Sequence, residues 1–219
     1  MTTKEELIDF WKANKIITDS KLLTAFKNLR REFFLPSSIQ FPYEDRPYPT
    51  LRGQSISQPT ATMIMVQSLQ IHSGHKILEV GAGVGYQASL LSHLVGPNGH
   101  IYSLEIIPEL VHAAKKNLAA LDKSNVTILE EDGSQGLAEH APFDRIIITA
   151  ACPQFPPPLI EQLNDNGIII APIGHVGNQT LVKAIKRGKQ LDMDFLGNYQ
   201  FVPLQGKFGF KEENELNIK

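Results

Sequence analysis

The chain has 219 residues, 21 Lys and Arg against 23 Asp and Glu for a formal net charge of -2, and one cysteine, Cys152. That length suits one domain over 1–219 with a core large enough to stand alone, the basic residues are scattered apart from a run at 183–189 and advertise no face for nucleic acid, and a lone cysteine excludes an internal disulfide. No charged-then-apolar leader follows Met1 and no apolar run is long enough to cross a bilayer, so a reducing, cytoplasmic setting without membrane contact is expected.

Thr3 followed by Glu6 is a capping-box pattern, and Leu7, Ile8 and Trp11 then recur on one helical face. A second helix is predicted from Thr18 or Asp19, with Leu22, Leu23, Phe26 and Leu29 as its buried stripe. Residues 35–57 are rich in proline, glycine and aromatics without a period, and a long irregular segment in a compact domain is usually functional or disordered. Pro59 suits a first helical turn, and Met63, Ile64, Val66 and Leu69 carry that helix toward the first strand. Residues 1–70 are thus expected to supply N-terminal helices and an active-site segment.

From Lys76 onward strands and helices alternate. Strands are predicted at 76–80, 100–105 and 126–130, with helices reaching Val95 and running through Leu110, Ala113, Ala114 and Leu121. An apolar run at 143–150, a helix at 159–163 ending before Asn166-Gly167, and a buried strand at 168–172 continue the alternation. The pattern predicts an α/β fold, a doubly wound, mostly parallel, Rossmann-like sheet whose cofactor-binding core spans 71–175. Segments 180–185 and 192–204, separated by Arg187-Gly188-Lys189, read as a C-terminal antiparallel hairpin at the sheet edge within 176–210, and a polar tail at 211–219 is expected to be mobile.

The first strand ends in Gly81, Gly83 and Gly85. Glycines there let the backbone turn sharply and approach a ligand, beside the free N–H groups of the next helix. A dinucleotide fingerprint needs a glycine where Tyr86 stands, and a P-loop needs Gly-Lys-Ser or Gly-Lys-Thr; neither is present. The G-x-G-x-G spacing suits S-adenosyl-L-methionine, whose uncharged ends need close backbone contact rather than a phosphate cradle. Glu105, closing the second strand, is placed to accept hydrogen bonds from ribose hydroxyls, and Asp132 with Gly133, after the third, can take an adenine amino group, the alternatives being a solvated strand-end carboxylate and a turn.

The methyl acceptor is harder to read. A hydroxyl or amine acceptor usually needs a base, whereas a carboxylate is already ionised at neutral pH. The seven histidines show neither a motif nor metal-ligand spacing, so no metal is expected. Cys152 reverses the Pro-Cys order of cytosine C5 enzymes and reads as a small packed residue rather than a nucleophile, and no adenine-methylation signature follows the fourth strand. The better candidate is Gly53-Gln54-Ser55-Ile56-Ser57-Gln58-Pro59, where two hydroxyls at alternate positions precede a proline; Ser57 can also be a helix N-cap.

GQSISQP, ILEVGAGVGYQ, YSLE, EEDGSQG, APFDRIIITAA, EQL, IAPIG and FVPL occur in the order seen in protein-L-isoaspartate O-methyltransferases, which the chain resembles from about Leu29 to Leu204. The resemblance implies a class I methyltransferase fold and transfer of a methyl group from S-adenosyl-L-methionine to the free α-carboxylate of L-isoaspartyl residues in aged proteins and peptides. The product cofactor is S-adenosyl-L-homocysteine, and the ester returns through a succinimide to repaired aspartate. It places the active-site serine on Ser57, orienting the carboxylate, and cofactor contacts on Gln54, Ser55, Ile56, Ser57, Gly81, Ala82, Gly83, Gly85, Glu105, Ile106, Asp132 and Gly133. Departures are Ser55 for the usual threonine, Arg52 before Gly53-Gln54, and the run Pro156-Pro157-Pro158, which bear on substrate preference more than on reaction type. The substrates implied are isoaspartyl proteins, with a monomer expected. The competing readings are methylation of a small molecule or RNA, and a non-catalytic S-adenosylmethionine-binding module.

Overall fold

In the computed structural model, which describes residues 1–211, the Thr3 hydroxyl accepts the Glu6 amide and the Glu6 carboxylate accepts the Thr3 amide, closing the capping box that starts helix α1 (Lys4–Ala13). Asp19 caps α2 (Ser20–Asn28) by accepting the Lys21 and Leu22 amides. The segment expected to be irregular contains a small hairpin, β1 (Tyr48–Pro49) paired antiparallel with β2 (Ser55–Ile56), and leads into α3 (Pro59–Ser68).

Strands β3 (Lys76–Val80), β4 (His100–Glu105), β5 (Val126–Glu130) and β6 (Phe143–Ile148) alternate with α4 (Tyr86–Val95) and α5 (Pro108–Ala120). They are followed by α6 (Pro157–Glu161), β7 (Leu163–His175), β8 (Asn178–Arg187) and β9 (Gln190–Tyr199). The main sheet has the order β5-β4-β3-β6-β7-β8-β9, with the β7–β8 and β8–β9 pairs antiparallel and the others parallel, as the alternation and the hairpin predict. Its central strands are apolar on both faces because both are covered. Ile77, Ile101, Ile147 and Ile170 pack with Trp11, Phe26, Met63 and Leu90 of the helices, whereas Leu78, Leu104, Ile146 and Ile169 pack with Leu159 and Leu163.

Several boundaries differ from the sequence reading. Helix α6 begins at Pro157 rather than residue 159, because its prolines need no amide partner in a first turn, and Leu163 already pairs with Phe143 as the start of β7. Strand β7 is therefore much longer than 168–172. Strand β9 ends at Tyr199, and the chain then crosses the strand ends, where the Ala151 amide donates to Val202 and the Leu204 amide to Ala151. The tail lies, from residue 212, outside the described residues.

One ionisable group sits inside this core. Glu79, in β3, is fully buried; the Ser103 hydroxyl donates to one carboxylate oxygen, while Oε1 has no partner among the described residues. Burial pushes its carboxyl up to about 8 against the Ser103 hydrogen bond, so it is protonated at neutral pH. In the unfolded chain the same group ionises near an ordinary carboxylate value of about 4.3. The folded state then holds the extra proton, and stability falls as pH rises from that value to about 8. Urea unfolding of Glu79→Gln should match the parent protein near pH 5 and exceed its stability by about 2–5 kcal/mol near pH 9. Parallel pH profiles for the two proteins rule this out.

Candidate active site

The glycine loop owes its shape to the end of β3. The amides of Gly81 and Ala82 both donate to the Leu104 carbonyl of β4, at 2.8 and 3.0 Å, and Gly81, Gly83 and Gly85 have φ of 96°, 54° and 86°. A Cβ on Gly81 would overlap the Thr149 hydroxyl, and one on Gly85 would lie 3.4 Å from Ala114. Gly83 faces open space instead, so its bare backbone is available to a ligand.

Glu105 ties this loop to the next connection. Its Oε2 accepts the Gly83 amide at 2.8 Å, and its Oε1 accepts the Ile106 and Ile107 amides at 3.0 and 3.1 Å. The residue is only 7% exposed; burial raises the carboxyl above its ordinary range, and the three amides oppose that rise. One oxygen keeps a free lone pair, so the carboxylate can still accept a hydroxyl.

These groups line a cleft over the carboxyl ends of β3, β4 and β6. Its walls are residues 54–57, 80–84, 104–107, 149–150 and 202–205, with Thr62, Tyr86, Gln87, Leu110 and Gly133. Of the twelve cofactor positions implied by the sequence, only Gly85 and Asp132 are absent from these walls. Gly85 sits one residue behind as the left-handed N-cap of α4.

Asp132 is held by its own set of hydrogen bonds. Its carboxylate accepts the Ser134 amide and hydroxyl, the Gln135 side chain and, at 2.9 Å, the Lys207 amide. Burial works upward on this group, but the Lys207 and Ser134 bonds outweigh it and hold it below its ordinary value. Asp132 thus fastens the crossing chain, whose residues 202–205 form part of the cleft wall. Thr149 and that crossing chain were not singled out as ligand groups by sequence reasoning. The only available signal was APFDRIIITAA and FVPL as family strings, since nothing in their local pattern marks them as neighbours.

Ser57 stands where this cleft meets a second one. The second is lined by Pro47, Gln58, Ala61, residues 177–178 and residues 197–202, and shares Ser55, Ser57, Thr149 and Val202 with the first. The N-cap of α3 is Gln58, without a side-chain bond, and Asp45 accepts the Thr60 amide instead. The Ser57 side chain is therefore not used as a cap. Cys152 is fully buried with its thiol pushed up to about 12, which keeps it protonated and inert. Arg52, at φ 57°, pairs with Glu109 across an exposed gap, tying the hairpin turn to α5.

A parallel sheet with a glycine loop, a carboxylate closing the second strand and a cleft over the strand ends defines a class I, S-adenosylmethionine-dependent type of methyltransferase fold. The family model described as protein-L-isoaspartate(D-aspartate) O-methyltransferase matches residues 2–209. The protein-L-isoaspartate O-methyltransferase of Methanococcoides burtonii is 47% identical over 195 residues, 88% of this chain and 96% of its own length. That of Methanoculleus marisnigri is 39% identical over 211 residues, 96% and 94% of the two chains. A solved protein-L-isoaspartate O-methyltransferase superposes with a TM-score of 0.85 at 27% identity, covering 94% of this chain and 67% of the other. A Plasmodium falciparum structure described as a beta-aspartate methyltransferase in complex with S-adenosyl-L-homocysteine shares the fold, with a TM-score of 0.80 at 24% identity over 94% and 99% of the chains. The chain belongs to the protein-L-isoaspartate(D-aspartate) O-methyltransferase family.

The anchoring role of Asp132 is open to direct measurement. In Asp132→Ala the amides of Lys207 and Phe208 should exchange with deuterium at least about tenfold faster, since the first loses its acceptor and the second bonds the Ser134 hydroxyl that Asp132 positions. Unchanged protection at both amides excludes the role.

Proposed function

We propose that this protein transfers the methyl group of S-adenosyl-L-methionine to the free α-carboxylate of L-isoaspartyl residues in aged proteins and peptides, which starts their repair through a methyl ester and a succinimide. The observation that carries this reading is the position of Ser57 on the wall common to the two clefts, with a side chain that caps nothing. One cleft takes the cofactor and the other the acceptor chain, and they meet at a hydroxyl.

When bound, the cofactor supplies an electrophilic methyl group on a sulfonium. The residues present fit it: Gly83 offers backbone with no Cβ in the way, and Glu105 has a lone pair left for a ribose hydroxyl. Gln54, Ser55, Ile56 and Ile106 line the same cleft, and Gly133 would offer backbone to an adenine edge there. Asp132 serves that end by holding residues 202–205 in place.

Ser57 donates its hydroxyl to the acceptor carboxylate and orients one oxygen toward the cofactor cleft. No base is required, because the acceptor is already an anion. The walls of both clefts accordingly hold no histidine or lysine among the described residues, and Glu105 is their one acidic side chain. The exchange of a carboxylate and a sulfonium for two neutral groups is helped by a site that positions rather than charges the reactants. We further assign the protein to the cytoplasm as a monomer working as one domain over 1–219, without nucleic-acid or membrane partners. No helix of the described residues is long and apolar enough to cross a membrane.

The reading is tested by incubating the protein with methyl-labelled S-adenosyl-L-methionine and paired peptides that differ only in Asp versus isoAsp. Base-labile label on the isoAsp peptide alone is expected; label on neither peptide, or equally on both, contradicts it. The division of labour can be separated by calorimetry. Ser57→Ala should lower turnover roughly 10- to 100-fold with cofactor affinity within about threefold of the parent, whereas Glu105→Ala should weaken cofactor binding first. Equal loss of cofactor binding in both variants refutes the assignment.

A further inference from the structure

Arg31 is the one arginine with no exposed surface, and it lies directly behind the active-site wall. Its Nε donates to the Pro42 carbonyl at 2.8 Å, and its Nη2 to the Ser57 carbonyl at 2.9 Å and the Arg46 carbonyl at 3.5 Å. The third nitrogen, Nη1, makes no well-aligned hydrogen bond among the described residues, and the polar group that faces the guanidinium is the buried hydroxyl of Tyr86, whose ring centre lies 5.3 Å from the guanidinium carbon. Tyr86 itself lines the cofactor cleft. No carboxylate comes within ion-pairing distance of Arg31 among the described residues. Its neighbour Glu32 is held by Arg30 and the Tyr43 hydroxyl, and Asp45 by Thr60.

A buried cation without a counterion is costly, and carbonyl contacts offset only part of that cost. Stability alone does not call for it here: an apolar side chain of similar length would fill the space, and a neutral donor would hold the carbonyls. What neither can supply is an unscreened positive charge one residue deep behind Ser57.

We infer that Arg31 is a positioning residue that makes the acceptor site selective for an ionised carboxylate: its fork fixes the Ser57 main chain, and its unpaired charge, sealed behind Ser57 and Tyr86, favours an anion over a neutral group of the same shape. The inference rests on the isoaspartyl reading, because it presumes that the acceptor oxygen sits at Ser57. Arg31 touches neither reactant in this scheme. It acts through the Ser57 carbonyl and through its field, which falls off slowly in a low-dielectric interior.

The test compares binding of an isoaspartyl peptide with that of the same peptide bearing an α-carboxamide, each titrated into the protein saturated with S-adenosyl-L-homocysteine. The parent protein should prefer the carboxylate, and the preference should hold from low salt to about 0.5 M, since a buried charge is poorly screened. Arg31→Gln keeps hydrogen-bond donors without charge and should lower the preference about tenfold or more, while Arg31→Lys should retain most of it even as turnover falls. A merely structural role weakens both peptides alike and leaves their ratio unmoved. The inference is overturned if Arg31→Gln keeps the parent ratio, if Arg31→Lys loses as much as Arg31→Gln, or if salt abolishes the parent preference. The salt series needs no variant, so it decides even where a substitution prevents folding. A parent protein that binds neither peptide overturns the isoaspartyl reading as well, whereas a preference indifferent to Arg31 overturns this inference alone.

Discussion

The carboxylate of Glu105 organises the cleft proposed for the cofactor. It sits at the carboxyl end of β4, nearly excluded from water, and is kept there by the amides of Gly83, Ile106 and Ile107. Those amides come from two different crossovers, the loop between β3 and α4 and the turn before α5, so one buried charge sets the relative position of both. The conformations that let the amides converge demand glycine, as the left-handed φ at positions 81, 83 and 85 shows. Burial alone disfavours the ionised form, and the converging amides make it tolerable. A charge stabilised by backbone dipoles rather than by a cation remains free to accept hydroxyls from a ligand.

The proposed acceptor side is built differently. Residues 41–58 make few regular hydrogen bonds of their own, and side chains from elsewhere fasten them. Asp45 holds Thr60, whose hydroxyl accepts from Trp11 in α1, and Arg31 gathers the carbonyls of Pro42, Arg46 and Ser57. The N-terminal region is thus more than a cover for the sheet: Trp11 of α1 and Arg31, in the short turn that follows α2, fasten the segment that carries Ser57. An acceptor site made of main chain and small side chains suits an enzyme whose substrates share a backbone defect rather than a sequence.

Much of this was legible in the chain. The β-α alternation fixed the sheet, because buried parallel strands read as continuous apolar runs such as Ile146-Ile147-Ile148, and the capping residues Thr3 and Asp19 marked two helix starts. That Glu105 and the glycine loop share one cleft was legible from spacing, since both lie at strand ends where topology alone sets position. The order of short motifs pointed to the family before any coordinate did. Asp132 shows where such reasoning stops: an Asp-Gly after a strand suggests a ligand contact, and only the long-range amide of Lys207 reveals that the carboxylate also holds the crossing chain. The end of β9, the wall at residues 202–205 and the three carbonyls on Arg31 were equally out of reach, because each depends on segments far apart in sequence meeting across the strand ends.

The central claim is that Glu105 and Ser57 belong to one composite site, the first for the cofactor and the second for an ionised acceptor. A crystal structure of the protein with S-adenosyl-L-homocysteine and an isoaspartyl peptide tests it most directly. The account expects ribose hydroxyls on the Glu105 carboxylate and the isoaspartyl α-carboxylate on the Ser57 hydroxyl, with the peptide running into the cleft lined by residues 197–202. A peptide bound away from Ser57, or a cofactor that leaves Glu105 bonded only to its three amides, would contradict it.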